Sequence, residues 1–402
     1  SVAINGGAVN TTGAQSYGEA VTLGADTTLT STAASAPGGN ITFTTTVNSF
    51  DTTARALTVN SNGVTTFGGA VGALHALSSV TTDAGTGGSV AINGGAVNTT
   101  GAQSYGEAVT LGQDTLFDTT NNGSSLTGAS ITFGQTLNSD AVASRATTLN
   151  AGTNGVVLIS GAVGDVNPLS SLTLTQSYGA TFNAPVTANT AVILNNTVSG
   201  QTIRFADNLT TPVLTTTTNG YNLELLGTTT SVTGNTTFFN TGKLVLGDAA
   251  ADTLTFAGGL TATAPVAINA AGTISTDARG IFTAQSVTLT QGLNRIRATA
   301  VDANGQVLST TTTLNVTLDT RPSLIPGVPQ LLEDDATTLD SDLQTSNTRP
   351  YFRIDLPTTA VAGDELRLYR ATQTLLLDTR ILTGSDIAAG YAVLQVQPGQ
   401  EL

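Results

Sequence analysis

Residues Ser1–Gly24 (SVAINGGAVNTTGAQSYGEAVTLG) recur without a single change at Ser89–Gly112, an offset of 88 residues. A chain that repeats at fixed spacing folds as an array, because each unit buries its apolar face only by stacking on a neighbour. The repetition runs on past the identical block. Ile41-Thr42-Phe43 returns as Ile131-Thr132-Phe133, Val47-Asn48-Ser49 as Leu137-Asn138-Ser139, and Arg55 as Arg145. Phe67-Gly68-Gly69-Ala70-Val71-Gly72 and Leu77-Ser78-Ser79-Val80 return as Ile159-Ser160-Gly161-Ala162-Val163-Gly164 and Leu169-Ser170-Ser171-Leu172. The offset drifts from 88 through 90 to 92. Insertions that small belong in turns.

At 402 residues the chain exceeds what one ordinary core accommodates. Its 39% apolar content with only 10% charge places it far from disordered compositions. Thr, Val and Ile are abundant while Lys, Glu, Met and Arg are scarce, which favours strand over helix. Cysteine is absent, so disulfides and thiolate metal sites are excluded, a usage that fits secreted bacterial stalks. The net charge of −14 and the single lysine, Lys243, leave no basic patch for nucleic acid or an anionic bilayer. No apolar run of about 18 residues spans a membrane. The lack of any methionine and of a signal peptide suggests a processed or excised piece of a longer protein.

From Leu172 to Ala284 the texture persists without the wording. Leu172-Thr173-Leu174, Leu223-Glu224-Leu225, Leu244-Val245-Leu246 and Leu254-Thr255-Phe256 alternate between Asn-Gly, Gly-Asn and Gly-Asp punctuation, a strand signal. A period near 90 fits either about four solenoid coils of roughly 20–25 residues or one immunoglobulin-like sandwich per repeat. Small apolar residues, missing aromatic anchors, and Asn and Thr recurring as if in ladders favour the solenoid. Near residue 285 the character changes. The first 280 residues hold 14 acids and 5 bases, the last 122 hold 13 and 8. Longer alternating stretches follow at 293–301, 307–318, 351–356, 365–369, 374–381 and 391–397, with Asn304-Gly305 as a hairpin turn and a Pro-rich hinge at 321–330.

The motifs GAQSYGEAVTLG, ITF…VNS and FGGAVG…LSSV resemble the β-strand repeats of large bacterial surface proteins of the filamentous-haemagglutinin and autotransporter-passenger type. RIRATAVDANGQVLSTTTTLNVTLDTRP, followed by EDDATTLDSDLQTSNTRPYFRIDLP and AGDELRLYR, resembles the bacterial Ig-like repeats of giant biofilm-type adhesins. The resemblance implies a secreted, non-enzymatic adhesive stalk, with linker calcium stiffening the rod. It departs from the pattern in one respect: the second Ig-like domain, starting near Pro322, stops at Leu402 two strands short. That leaves completion by residues 285–319 or by a neighbouring chain open, since a bare sheet edge invites a strand. A head-to-tail contact of that kind builds a filament.

Asp319, Glu333, Asp334, Asp335, Asp340 and Asp342 form the best metal candidate, since clustered hard oxygens suit Ca²⁺; a solvated acidic loop is the alternative. His75 is the only histidine, and its repeat counterpart is Asn167, so a loop role is expected and Ser-His-Asp or multi-histidine chemistry is not. Carbohydrate-active enzymes also use β-helices, but they need clustered carboxylates. Here Asp51, Asp83, Asp140, Asp165 and Asp207 stand singly, and Arg55 and Arg145 read as a repeated surface feature. Thr-rich TTLTST, TFTTTV and LSTTTTLNV could form flat arrays of the kind that bind ice, although Thr suits any solvent-facing strand position.

The expectation is therefore an all-β protein: a right-handed parallel β-solenoid (1–88, 89–171 and divergent 172–284), then Ig-like strands (285–320) and an incomplete Ig-like domain (321–402). The expected role is an extracellular structural and adhesive segment that associates with itself and with cell-surface or matrix glycans and proteins. A sheath, S-layer or filament subunit and a β-helix enzyme are the alternatives.

Overall fold

The computed structural model describes the chain apart from residues 33–38, 83–87, 277–281, 285–291, 297–298, 302–306, 311–313, 319–324, 333–337, 342, 371–374 and 401–402. Two units emerge: Ser1–Leu289 with Arg295–Leu314, and Thr290–Asn294 with Asn315–Leu402.

In the first unit the alternation becomes parallel ladders. Thr27–Ser31 and Ser89–Ile92 bury every second residue, as strands with one wet and one dry face must. Twelve such strands, from Ala8–Thr11 to Ala267–Ala270, form one continuous sheet, the first wall. A second wall starts with Gln15–Tyr17, Ile41–Phe43 and Val64–Phe67, and a third with Val2–Ile4, Val21–Leu23 and Val47–Ser49. Each coil adds a strand to each wall, and every pairing described between coils is parallel. The fold is a parallel β-solenoid of about eleven turns. One step along the first wall takes from 20 residues (Val9 to Leu29) to 30 (Leu29 to Val59), the extra length lying in corner loops.

The two identical blocks do not occupy the same walls. Val2–Ile4 pairs with Val21–Leu23 in the third wall, whereas its copy Ser89–Ile92 lies in the second, between Val64–Phe67 and Ala108–Leu111. Ala8–Thr11 lies in the first wall and its copy Ala96–Asn98 in the third. Gln15–Tyr17 lies in the second and its copy Gln103–Tyr105 in the first. The 88-residue offset covers eleven strand positions at three per coil, so the copy returns one wall out of phase and not after the expected four whole coils.

Wall exchange is tolerated because the corners, not the walls, are specified locally. In GAQSY the buried Gln15 donates from Nε2 to Val9 O, Thr11 Oγ1 and Thr30 O, and its Oε1 accepts from the Tyr17 hydroxyl. Gln103 repeats the set with Val97 O, Thr99 Oγ1, Asp118 O and Tyr105. A buried amide that satisfies both its donors and its acceptor locks the chain's turn wherever that turn falls. Asp26 and Asp114, again 88 apart, each accept the backbone N–H of the next coil, from Ala56 at 2.9 Å and Ala146 at 2.8 Å.

The interior corrects one expectation. Aromatic anchors are few but not missing: ten Phe and Tyr side chains, Phe43, Phe133 and Tyr105 among them, are the largest fully buried groups. Tyr17, Phe43 and Phe67 stack at 5.2 and 5.4 Å, and Phe182 on Phe205 at 4.7 Å. A solenoid needs little more than one ring per coil, so 5% aromatic content is enough. The ladder Tyr105, Phe133, Ile159, Phe182, Phe205, Leu225 and Leu246 runs unbroken through seven coils of the first wall.

Thr65 interrupts such a ladder between Ile41 and Val90. It is fully buried and its hydroxyl has no partner among the described residues. Thr65→Val keeps the shape and removes a stranded polar atom, so it is expected to stabilise the solenoid by about 1 kcal/mol. Thermal unfolding checks this, and a lowered midpoint would sink it.

In the second unit, Gln330–Leu331, Tyr351–Asp355 and Tyr391–Gln395 form an antiparallel sheet, and Glu365–Arg370 pairs antiparallel with Leu375–Ile381. Ile354, Leu366, Leu368, Leu377, Leu394 and Val396 make its core. Thr299–Val301 and Val307–Thr310, which belong to the first unit, pair antiparallel on either side of Asn304-Gly305, which itself lies outside the described residues. One short helix, Gly384–Ala389, follows from Thr383-x-x-Asp386, a capping box closed by Gly390 in the left-handed conformation. The buried Asp386 also takes Arg380 Nη2 at 2.8 Å.

The Arg380 guanidinium, then the Thr383 hydroxyl and N–H, hold the Asp386 carboxyl down to about 2. A carboxyl depressed in the folded state contributes stability that is complete above its ordinary value, near 4, and is lost as pH falls through the folded one. The second unit should therefore lose stability between about pH 4 and pH 2. Asp386→Asn should cost roughly 1–3 kcal/mol at neutral pH and flatten that acid limb. Urea melts at stepped pH read both effects, and an unchanged acid limb in the variant counts against the assignment.

Candidate binding surface

Two loop pairs on the solenoid share one construction. After Val47–Ser49 the buried Asn48 side chain accepts the N–H of Leu74 (2.9 Å) and His75 (3.4 Å) from the next coil. After Leu137–Ser139, Asn138 accepts those of Val166 (3.2 Å) and Asn167 (3.4 Å). Ser49 Oγ donates to Ala76 O and accepts Arg55 N–H; Ser139 Oγ does the same with Pro168 O and Arg145 N–H. The carbonyls of His75 and Asn167 accept the N–H of Ser49 and Ser139. His75 is thus a loop residue using its backbone, in the position Asn167 fills one repeat later.

This buried Asn-Ser pair pushes an apolar tip outward on each loop. Leu74 is 77% and Val166 74% exposed; the preceding loops carry Phe50 at 63% and Val142 at 85%. An acid–base pair flanks each tip. Arg55 Nη2 lies 4.0 Å from Asp51, and Arg145 Nη2 lies 3.0 Å from Asp140. The Arg145 hydrogen bond, with the Ala143 and Val142 N–H groups, holds the Asp140 carboxyl below the usual range; for Asp51 the Thr53 N–H is the first cause. The two knuckles project from different walls, the third and the second.

Several other described solenoid carboxylates are occupied by the fold. Glu224 pairs with Arg204 at 3.5 Å, and Asp252 caps the N–H groups of Asp248 and Ala249, which lowers its pKa. Buried Asp118 accepts from Thr120 N–H and the Thr120 hydroxyl. These contacts orient backbone and arginine; none of them aims two carboxyls at a common point.

Of the six residues proposed for calcium, Asp319, Glu333, Asp334, Asp335 and Asp342 lie outside the described residues. Asp340 is described: its backbone N–H bonds Leu331 O and its Oδ1 accepts Leu343 N–H at 3.0 Å, closing a turn in which Leu343 has positive φ. Among the described residues no group of three or more His, Asp or Glu side chains could hold a metal, and no helix is long and apolar enough to cross a membrane. The knuckles escaped sequence reading because Phe50 and Val142 occupy different offsets; the shared Asn-Ser before each loop was the available signal. No protein family, no curated protein and no solved structure matches this chain.

Proposed function

We propose that the chain is a structural and adhesive segment of a bacterial surface protein, extracellular and non-enzymatic. The observation that carries this reading is the repeated knuckle: the same buried Asn-Ser pair lifting an apolar tip beside an Asp–Arg pair, on coils whose walls are interchangeable. Stacked at about 4.8 Å per coil, eleven turns give some 50 Å of ladder in which backbone polar groups are paired, and two knuckles several coils apart carry such tips on it. Weak contacts at each tip then add by repetition, which suits cell-surface or matrix glycans and proteins, and other copies of the chain. On this reading the coils wind right-handed, as crossovers do, and the antiparallel second unit is Ig-like.

Beads coated with the full chain should adhere to matrix-coated or glycan-coated surfaces, and Phe50→Ser with Leu74→Ser should weaken adhesion without loss of β-sheet circular dichroism. Adhesion indifferent to both knuckles, or robust cleavage in a polysaccharide turnover panel, would remove this reading. Calcium at the acidic segment belongs to the same proposal, and a melting temperature unmoved by EDTA would count against it.

A further inference from the structure

The second wall carries, in its later coils, a lattice of hydroxyls that the adhesive reading does not use. Thr229 and Ser231, Thr253 and Thr255, and Thr273 and Ser275 point outward from three successive strands whose intervening residues, Thr230, Leu254 and Ile274, point inward. Strict register places Thr229, Thr253 and Thr273 in one column and Ser231, Thr255 and Ser275 in another. Thr210 and Thr187 extend the second column by two more coils. Columns two residues apart along a strand and one coil apart along the axis give a mesh of about 6.7 by 4.8 Å.

Three properties restrict what such a mesh can hold. The hydroxyls are unspent: among the described residues only Thr255 and Ser275 bond, to each other at 3.1 Å. The outward positions of these strands carry no charge and no aromatic ring. That disfavours an anionic polymer, which needs cations, and a pyranose chain, whose apolar faces stack on aromatic rings. The array is also rigid, since the backbone is locked in ladders and β-branched Thr has a stiff χ1, so little entropy is lost on binding. A neutral, two-dimensional, preordered set of hydroxyls with methyls between them is complementary to a surface that is itself a periodic net of hydrogen-bonding oxygens.

We propose that this part of the second wall binds ordered water, as the face of an ice crystal. The proposal is independent of the adhesive reading and stands on a different wall segment from either knuckle. The Thr-rich stretches TTLTST and TFTTTV supply outward Thr28, Thr30 and Thr42 elsewhere on the solenoid, and TTS, TLT and TIS supply the lattice.

The test is nanolitre osmometry on the full chain, reading ice-crystal shape and thermal hysteresis. The wild-type chain should facet ice and show a hysteresis gap. Thr253→Tyr with Thr255→Tyr, outward changes that keep strand propensity, should lose both, whereas Thr58→Tyr on the first wall should keep them. A wild-type chain that leaves ice unfaceted, a double variant that still shapes it, or equal loss in Thr58→Tyr overturns the proposal. Co-sedimentation with microcrystalline cellulose, abolished in the double variant, would assign the lattice to polysaccharide and also overturn it. Circular dichroism confirms that each variant is folded.

Discussion

Gly94→Ala should destabilise the solenoid by at least about 3 kcal/mol, while Gly6→Ala, the same change in an identical 24-residue context, stays within about 0.5 kcal/mol. A Cβ at Gly94 would lie 2.0 Å from Gly69 C and 2.4 Å from Ala70 N, backbone atoms of the preceding coil that cannot step aside. A Cβ at Gly6 would meet nothing within 4 Å, and neither glycine requires a positive φ. The difference therefore isolates coil-to-coil approach from local propensity. The same corner recurs where Gly69 lies against Thr45 and Gly161 against Gln135. Paired chemical melts of the two variants decide it, and equal effects would mean that coils at Gly94 are not in contact.

Phe133→Ala should cost about 3–5 kcal/mol. Its ring stacks on Tyr105 at 5.0 Å, meets Phe117 edge-on at 5.1 Å, and is fully buried. Because a coil touches only its neighbours, the damage should stay local. Hydrogen exchange should accelerate in Gln103–Tyr105, Ile131–Phe133 and Val157–Ile159 and remain slow in Asn222–Leu225 and Lys243–Leu246. Phe133→Leu should restore most of the loss. Uniform acceleration along the unit, or a cost below about 1 kcal/mol, would contradict a nearest-neighbour ladder.

The strands were legible because alternation is a local property. Leu172-Thr173-Leu174, Leu244-Val245-Leu246 and the stretch 391–397 all carry strands where period two placed them. Arg55 and Arg145 were legible as a repeated feature, but their pairing with Asp51 and Asp140, which the sequence shows only as single acids, was not. Phase did not, because wall assignment is set by accumulated loop length over several coils and no single residue encodes it. Identical Glu19 and Glu107 show the result: one is 68% exposed, the other fully buried. Aromatic packing was misjudged from percentage content, which says nothing of stacking every 20 to 30 residues. The helix at 384–389 was missed although Thr383-x-x-Asp386 announces it; the motif is short and no apolar periodicity follows. In the candidate site, the loops were visible in the DTTARA and AVASRA stretches and before Leu77-Ser78-Ser79, but their apolar tips depend on Asn48 and Asn138 accepting from the next coil.

The one-wall displacement between the identical blocks has a consequence for how such a molecule can grow. When a segment is duplicated in the gene, whatever recognises a partner is copied to an azimuth a third of a circle away, so amplification multiplies the directions in which the molecule can be engaged, and three successive copies would grip from every side.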